Sequence, residues 1–188
     1  MILFITGLFL WFVVHLFPVL CIKQRSAIIN KTGLMPYKGV FELIIISSVV
    51  LIVFGWRSIV PEDIYVTASW GRHVAFLLVL FTFILFVAAN AKTNIKRFLR
   101  HPQLTGLVLW SIGHLFANGD CRSVILFVTL GVWALLMIIL INRRDGAWQK
   151  PGAVSFKFDV LTVFGGCVLY TVLLFAHVYL TGIKLMPS

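Results

Sequence analysis

The chain has 188 residues, of which 61% are hydrophobic and only 12% charged, whereas soluble domains carry about a quarter charged residues. A mean hydropathy of +1.04, spread along the whole length, excludes a soluble fold. It also excludes disorder, a disulfide scaffold and a nucleic-acid-binding domain, each of which needs far more polar sequence. Sixteen Lys and Arg against six acids leave a net charge of +10, and it is their positions that carry information.

Charge-free apolar stretches run over residues 1–22, 43–56 (extendable back to 39 around Glu42), 73–91, 101–119, 123–142 and 160–183. Most reach the roughly 20 residues that a helix needs to cross a bilayer. The sequence therefore predicts an all-α polytopic transmembrane helix bundle of about six spans, in one domain over residues 1–188. No internal repeat is apparent along it. The first stretch has no basic flank and is longer than the apolar core of a secretory signal, so it reads as a retained helix.

Twelve cations fall in alternate connections: Lys23, Arg25, Lys31 and Lys38; Lys92, Lys96, Arg97 and Arg100; Arg143, Arg144, Lys150 and Lys157. The other side receives Arg57, Arg72, Arg122 and Lys184. The positive-inside rule then puts both termini outside, as in a multi-pass protein of a bacterial inner membrane. Basicity here is a topology signal, and nucleic acid is not an expected partner. The connections at 28–37 and 142–157 are expected to be its mobile loops. Cys21, Cys121 and Cys167 lie at different depths, so no disulfide is expected.

Ionisable groups inside a membrane are costly and mark function by default. His15 lies about seven residues before the inner end of the first span, roughly 10 Å from that face, and His114 about twelve residues into the fourth, roughly 18 Å from it. Both fall towards the middle of a hydrocarbon layer roughly 30 Å thick. At 100° per residue, Gln103, Leu107, Trp110, Ser111, His114 and Asn118 share one face of the fourth span, with Gly106 and Gly113 on its flank. Gly7, Trp11, His15 and Pro18 cluster on the first, where Pro18 cannot donate to the Val14 carbonyl. Two imidazoles facing each other across a bundle can hydrogen-bond helices together or ligate haem iron. Zinc fits less well, because no Cys or carboxylate accompanies the pair. His177 reads as a structural or pocket-wall residue, and His73 beside Arg72 as an interfacial one.

The string RHPQLTG at 100–106 begins the fourth span, with Pro102 in a helix's first turn. It resembles the RHPxYxG segment with which membrane methyltransferases hold S-adenosylmethionine. Leu104 replaces the Tyr, however, and only Asn142, Arg143, Arg144 and Asp145 follow the fifth span, where that family has paired acids.

The longer run RHPQLTGLVLWSIGHLFANGDCRS, residues 100–123, closely resembles the diagnostic stretch of the NnrU family. The likeness extends to His15, to the YKG at 37–39, to Arg72 with His73, and to the final helix bearing His177. The family includes 15-cis-zeta-carotene isomerases, which are membrane b-type haem proteins. The resemblance implies haem b ligated by His15 and His114. It implies redox-neutral cis–trans isomerisation of an apolar polyene drawn from the membrane lipid once one axial ligand yields. Trp11, Trp110, Ser111, Arg100 and His101 are expected cofactor-binding neighbours, with Phe116 a further aromatic one. Arg72, Arg97, Arg100 and Arg122 are candidate partners for the propionates. The isomerases carry a cysteine three residues before the second ligand histidine, where this chain has Ser111. The alternative reading is a non-enzymatic accessory or sensor of nitrite and nitric oxide respiration, its haem binding a small gaseous ligand.

Overall fold

The computed structural model describes residues 1–182 and 185. Among them seven helices follow one another: α1 Ile2–Leu20, α2 Ile22–Thr32, α3 Leu34–Arg57, α4 Gly71–Asn90, α5 Pro102–Ala117, α6 Cys121–Asp145 and α7 Lys157–Thr181. One turn of 3₁₀ helix, Asn94–Arg97, precedes α5. The architecture is the all-helical membrane bundle that the composition predicts. Of the charge assignments, Lys184 lies outside the described residues, as does the end of the last apolar stretch at 183.

Helices α1, α3, α4, α6 and α7 are each long and apolar enough to cross a bilayer. α5 has 16 residues, about 24 Å of rise, shorter than the hydrocarbon layer. Its pairing settles its direction. Gly71 of α4 meets Phe116 of α5, Ala75 and Leu78 meet Gly113, and Thr82 with Phe86 meets Gly106, so the two helices run antiparallel along nearly all of α5. Three residues later α6 turns back along it, with Phe127 on Trp110 and Gly131 opposite Ser111. α5 is thus the short sixth limb between two long parallel neighbours.

α1 and α3 form the other tight pair. A Cβ at Gly7 would lie 2.8 Å from the Ile52 nitrogen and 2.9 Å from the Ser48 carbonyl, and one at Gly55 would overlap the Phe4 backbone. Lipid tails are as apolar as leucine, so helices here gain by close packing of small residues more than by burying large ones. The bundle shows that inversion. Its buried set includes Ser48, Thr82, Ser111, Ser123 and Ala134, while Ile46, Phe54, Phe81, Val132, Phe164 and Phe175 face outward.

The expectation of a mobile loop at 28–37 is corrected. The chain leaves α1 at Cys21, re-enters helix for the polar α2, breaks at Gly33 and starts α3 at Leu34, nine residues before the apolar run at 43. Gly33 has φ +90°, a conformation open to glycine and strained for most other residues. Pro36 fits because it falls in the first turn of α3, where its missing N–H costs no helical bond.

Both ends are tied by polar knots. At the end opposite the twelve cations, the Asp120 carboxylate accepts from the Ser123 N–H at 3.2 Å and its hydroxyl at 2.5 Å, capping α6. Arg122 pairs with Asp120 at 3.2 Å and stands 4.7 Å over the Trp56 ring. The loop after α3 is stitched to the α5–α6 turn: Ile64 N–H donates to the Gly119 carbonyl at 2.8 Å, and the Tyr65 hydroxyl donates to the carbonyls of Leu115 and Asn118. At the basic end, Asp159 of α7 accepts from the Thr93 hydroxyl at 2.6 Å and from the Asn94 backbone and side chain, each at 2.7 Å.

Candidate functional site

α1, α5 and α6 meet in the central cluster of the bundle. Val19, Trp133, Ala134 and Met137 form its buried middle, and Phe12, Leu16, Leu104, Leu107 and Val108 close on it from the two flanking helices. His15 and His114 face α6 beside this cluster.

The two histidines are held alike. His15 Nδ1 bonds the Trp11 carbonyl at 2.8 Å, and His114 Nδ1 bonds the Trp110 carbonyl at 2.9 Å. A carbonyl only accepts, so each ring carries its proton on Nδ1 and keeps the Nε2 lone pair for a ligand. Metal-binding histidines are commonly oriented in this way, with the second ring nitrogen donating to a carbonyl. Each imidazole also lies on the tryptophan one turn before it, at centroid distances of 4.2 Å for Trp11 with His15 and 4.5 Å for Trp110 with His114.

The likeness is written in the sequence. Residues 6–17 read TGLFLWFVVHLF and residues 105–116 read TGLVLWSIGHLF, with eight of twelve positions identical. The expectation of no internal repeat is corrected. The signal escapes a span-by-span reading because each copy looks like ordinary apolar helix, and only their comparison exposes it. α1 packs beside α6 in the same direction, with Trp11 and His15 on Trp133 and Val19 by Met137, whereas α5 runs against α6. The copies are therefore inverted. Each glycine lies against a carbonyl on the neighbouring helix: Gly7 against Ser48, Gly106 against Thr82.

The two rings do not touch. His15 packs edge-on to Trp133 at 5.1 Å and to Phe41 at 5.9 Å, while His114 stacks on Phe127 at 4.5 Å. Phe127 and Trp133 are six residues apart on α6, about 9 Å of rise. His114, three residues from the end of α5, thus stands nearer the end opposite the cations than His15. His177 on α7 lies within electrostatic reach of His114, and its Nδ1 is 3.1 Å from the Thr181 hydroxyl.

Of the expected neighbours, Trp11 and Trp110 accompany the histidines, and Ser111 is buried one helical turn before His114, against α6. Arg100 and His101 are elsewhere. They sit at the basic end, where Arg100 donates to the Gly146 carbonyl at 2.7 Å and His101 Nε2 meets Asn142 Oδ1 at 3.0 Å. About thirteen residues separate them from His114, roughly 20 Å of helix, so the RHP string pins the start of α5 to the end of α6. Gln103, expected in the buried stripe, is exposed. Among the propionate candidates, Arg122 is engaged with Asp120 and Arg72 with the Leu185 carbonyl, whereas the buried Arg97 Nε has no partner.

Sequence reasoning passed over Trp133, which touches both Trp11 and His15. The indole nitrogens of Trp11 and Trp133 and the Ser111 hydroxyl are buried without a hydrogen-bond partner. An unmade buried hydrogen bond costs about 1–3 kcal/mol, so three around two prepared imidazoles mark this region as one shaped for more than packing. Two neutral imidazole nitrogens are donors that haem iron accepts, as do zinc, copper and nickel, and among the described residues no group of three His, Cys, Asp or Glu lies together.

This geometry defines a polytopic helical membrane protein with an inverted pair of Trp–His units set against a shared helix. The match of the NnrU protein family to residues 3–185 gives the particular identity: the chain belongs to that family. No curated protein and no solved structure matches it.

Proposed function

We propose that this NnrU protein binds haem b, with Nε2 of His15 and of His114 as the iron ligands, and that it isomerises an apolar polyene entering from the bilayer. The observation that carries the reading is the repeated Trp–x₃–His unit, which prepares two equivalent imidazoles with their protons already turned away from the ligand side. Bound haem would supply an iron whose reactivity depends on one axial position becoming free. The chain's own part is to hold the ligands in one tautomer, to surround them with the rings of Trp11, Trp110, Phe127 and Trp133, and to keep water from the double bond. The apolar exterior of the bundle gives a polyene direct access from lipid.

Ser111 supports a second reading. A hydroxyl is a poor replacement for the thiolate that the isomerases carry at this position, so exchange of a ligand through it is not available. A haem whose displaceable histidine admits nitric oxide, in a non-enzymatic accessory or sensor role, needs no such exchange.

The purified protein should show a haem Soret band that is lost or shifted in His15→Ala and in His114→Ala and retained in His177→Ala. Unchanged spectra in the first two defeat the assignment. Loss in His177→Ala with His15→Ala unaffected moves the second ligand to α7. Conversion of a cis polyene by the wild type, followed chromatographically, separates the enzymatic reading from the accessory one.

A further inference from the structure

A cleft of about 370 Å³ opens between the basic-end halves of α1, α2 and α3, within the size range of small-molecule sites. Val14 and Phe17 of α1, Ile28 of α2, and Tyr37, Val40 and Phe41 of α3 form most of its wall. The one hydroxyl inside it besides Tyr37, that of Thr32, already donates to the Ile28 carbonyl at 2.9 Å. Such an interior offers nothing to a polar guest and suits a hydrocarbon chain.

The rim is different. Arg25 of α2 stands over the Tyr37 ring, its guanidinium carbon 5.7 Å from the centroid. The Arg25 Nε and the Tyr37 hydroxyl are both buried and without a partner. Lys23, Lys31 and Lys38 lie in the same segment, and between residues 1 and 57 the sole acid is Glu42, which is exposed. Two unpartnered donors among four cations, at the mouth of a hydrocarbon slot, call for an anion joined to an apolar tail.

We propose that this cleft is a specific site for one anionic glycerophospholipid, with an acyl chain in the slot and its phosphate on Arg25 Nε and the Tyr37 hydroxyl. The guanidinium supplies charge-assisted donors to the phosphate and Tyr37 adds a second direction; phosphatidylcholine carries the same phosphate, but its choline ammonium would be held against Arg25 among like charges with no acid beside it, so the site favours an anionic headgroup. Phe41 is shared between the cleft wall and the edge of His15.

Native mass spectrometry of the full chain in detergent, titrated with phosphatidylglycerol or with phosphatidylcholine of the same chains, tests this. One phosphatidylglycerol should bind at least tenfold more tightly than phosphatidylcholine and resist millimolar inorganic phosphate. Arg25→Ala combined with Tyr37→Phe should bring the two lipids to equal affinity. Lys38→Ala, which removes the same charge away from the unpartnered donors, should change it less than threefold. Val40→Trp, filling the slot, should abolish the tight site. Equal binding of both lipids by the wild type, loss from Lys38→Ala as large as from the rim variant, displacement by free phosphate, or retention in Val40→Trp would each overturn the proposal. The two comparisons on unmodified protein stand even if a variant fails to fold.

Discussion

His15 and His114 each owe their state to one hydrogen bond made within their own helix, and that gives single-residue replacements sharp consequences. Replacing either tryptophan leaves the carbonyl in place, so Trp11→Phe and Trp110→Phe should keep the ligand tautomer while removing the indole. If the haem reading holds, these variants retain bound pigment with a shifted band, whereas the histidine variants lose it; pigment loss from both tryptophan variants would show that the indoles, not the imidazoles, hold the group. Ser111 is more finely placed. A Cβ added at Gly131 would come within 3.1 Å of the Ser111 Cβ and 3.3 Å of its hydroxyl, so Gly131→Ala must push Ser111 aside. The sequence singles out both histidines because an ionisable group in a membrane span is costly, although a hydrogen bond between helices accounts for such a residue as readily as a ligand role does. It did not announce that Arg100 and His101 join α5 to the end of α6, because nothing in the RHP string points to Asn142 or Gly146.

Among the elements, the α1–α3 pair is held by approach distance. Gly55→Leu would overlap the Phe4 backbone, and overpacking of this kind costs roughly 1–3 kcal/mol. Thermal unfolding in detergent should show a lowered midpoint for Gly55→Leu and none for Gly39→Leu, where nothing lies within 4 Å. Asp120→Ala removes the cap of α6, and loss of such a cap costs about 1 kcal/mol. The loop after α3 carries a pH dependence. Burial, with the Asp120 charge adding to it, raises the Tyr65 phenol above its ordinary value. Its protonated hydroxyl donates to two carbonyls, so this anchoring is complete below the ordinary tyrosine value and lost as pH rises through the raised one. Limited proteolysis between residues 58 and 70 should accelerate only in strong alkali, and Tyr65→Phe should remove that dependence. α2 was not legible because span detection discards a stretch as polar as IKQRSAIINKT, although helices need no apolar run to form beside a membrane.

At the level of the whole molecule, the partition of charge anticipated the architecture well. The connections that carry the twelve cations gather at one end of the bundle, and their helices alternate in direction as the count requires. Depth was legible as well: residue numbering places His15 about 10 Å and His114 about 18 Å from the basic face, and packing against Trp133 and Phe127 staggers them in the same sense. Inverted repeats are common in membrane carriers, which build their sites from interrupted helices, whereas α1 and α5 are continuous. The knot at Asp159 predicts a further property. Asp159→Ala should expose the segment between α6 and α7 to protease while leaving helix content, read by circular dichroism, unchanged.

The inverted copies have a consequence for any flat guest that α1 and α5 share. Seen from either side of its plane, such a guest meets the same indole, the same imidazole and the same protonated nitrogen, so coordination by itself cannot tell top from bottom. What picks a single way round must come from the unlike rings beside the histidines, Trp133 and Phe41 against Phe127, and from the four mismatched letters of the two strings, Phe9 against Val108, Phe12 against Ser111, Val13 against Ile112 and Val14 against Gly113. Exchanging those letters between the copies should scramble the mounting while sparing the grip.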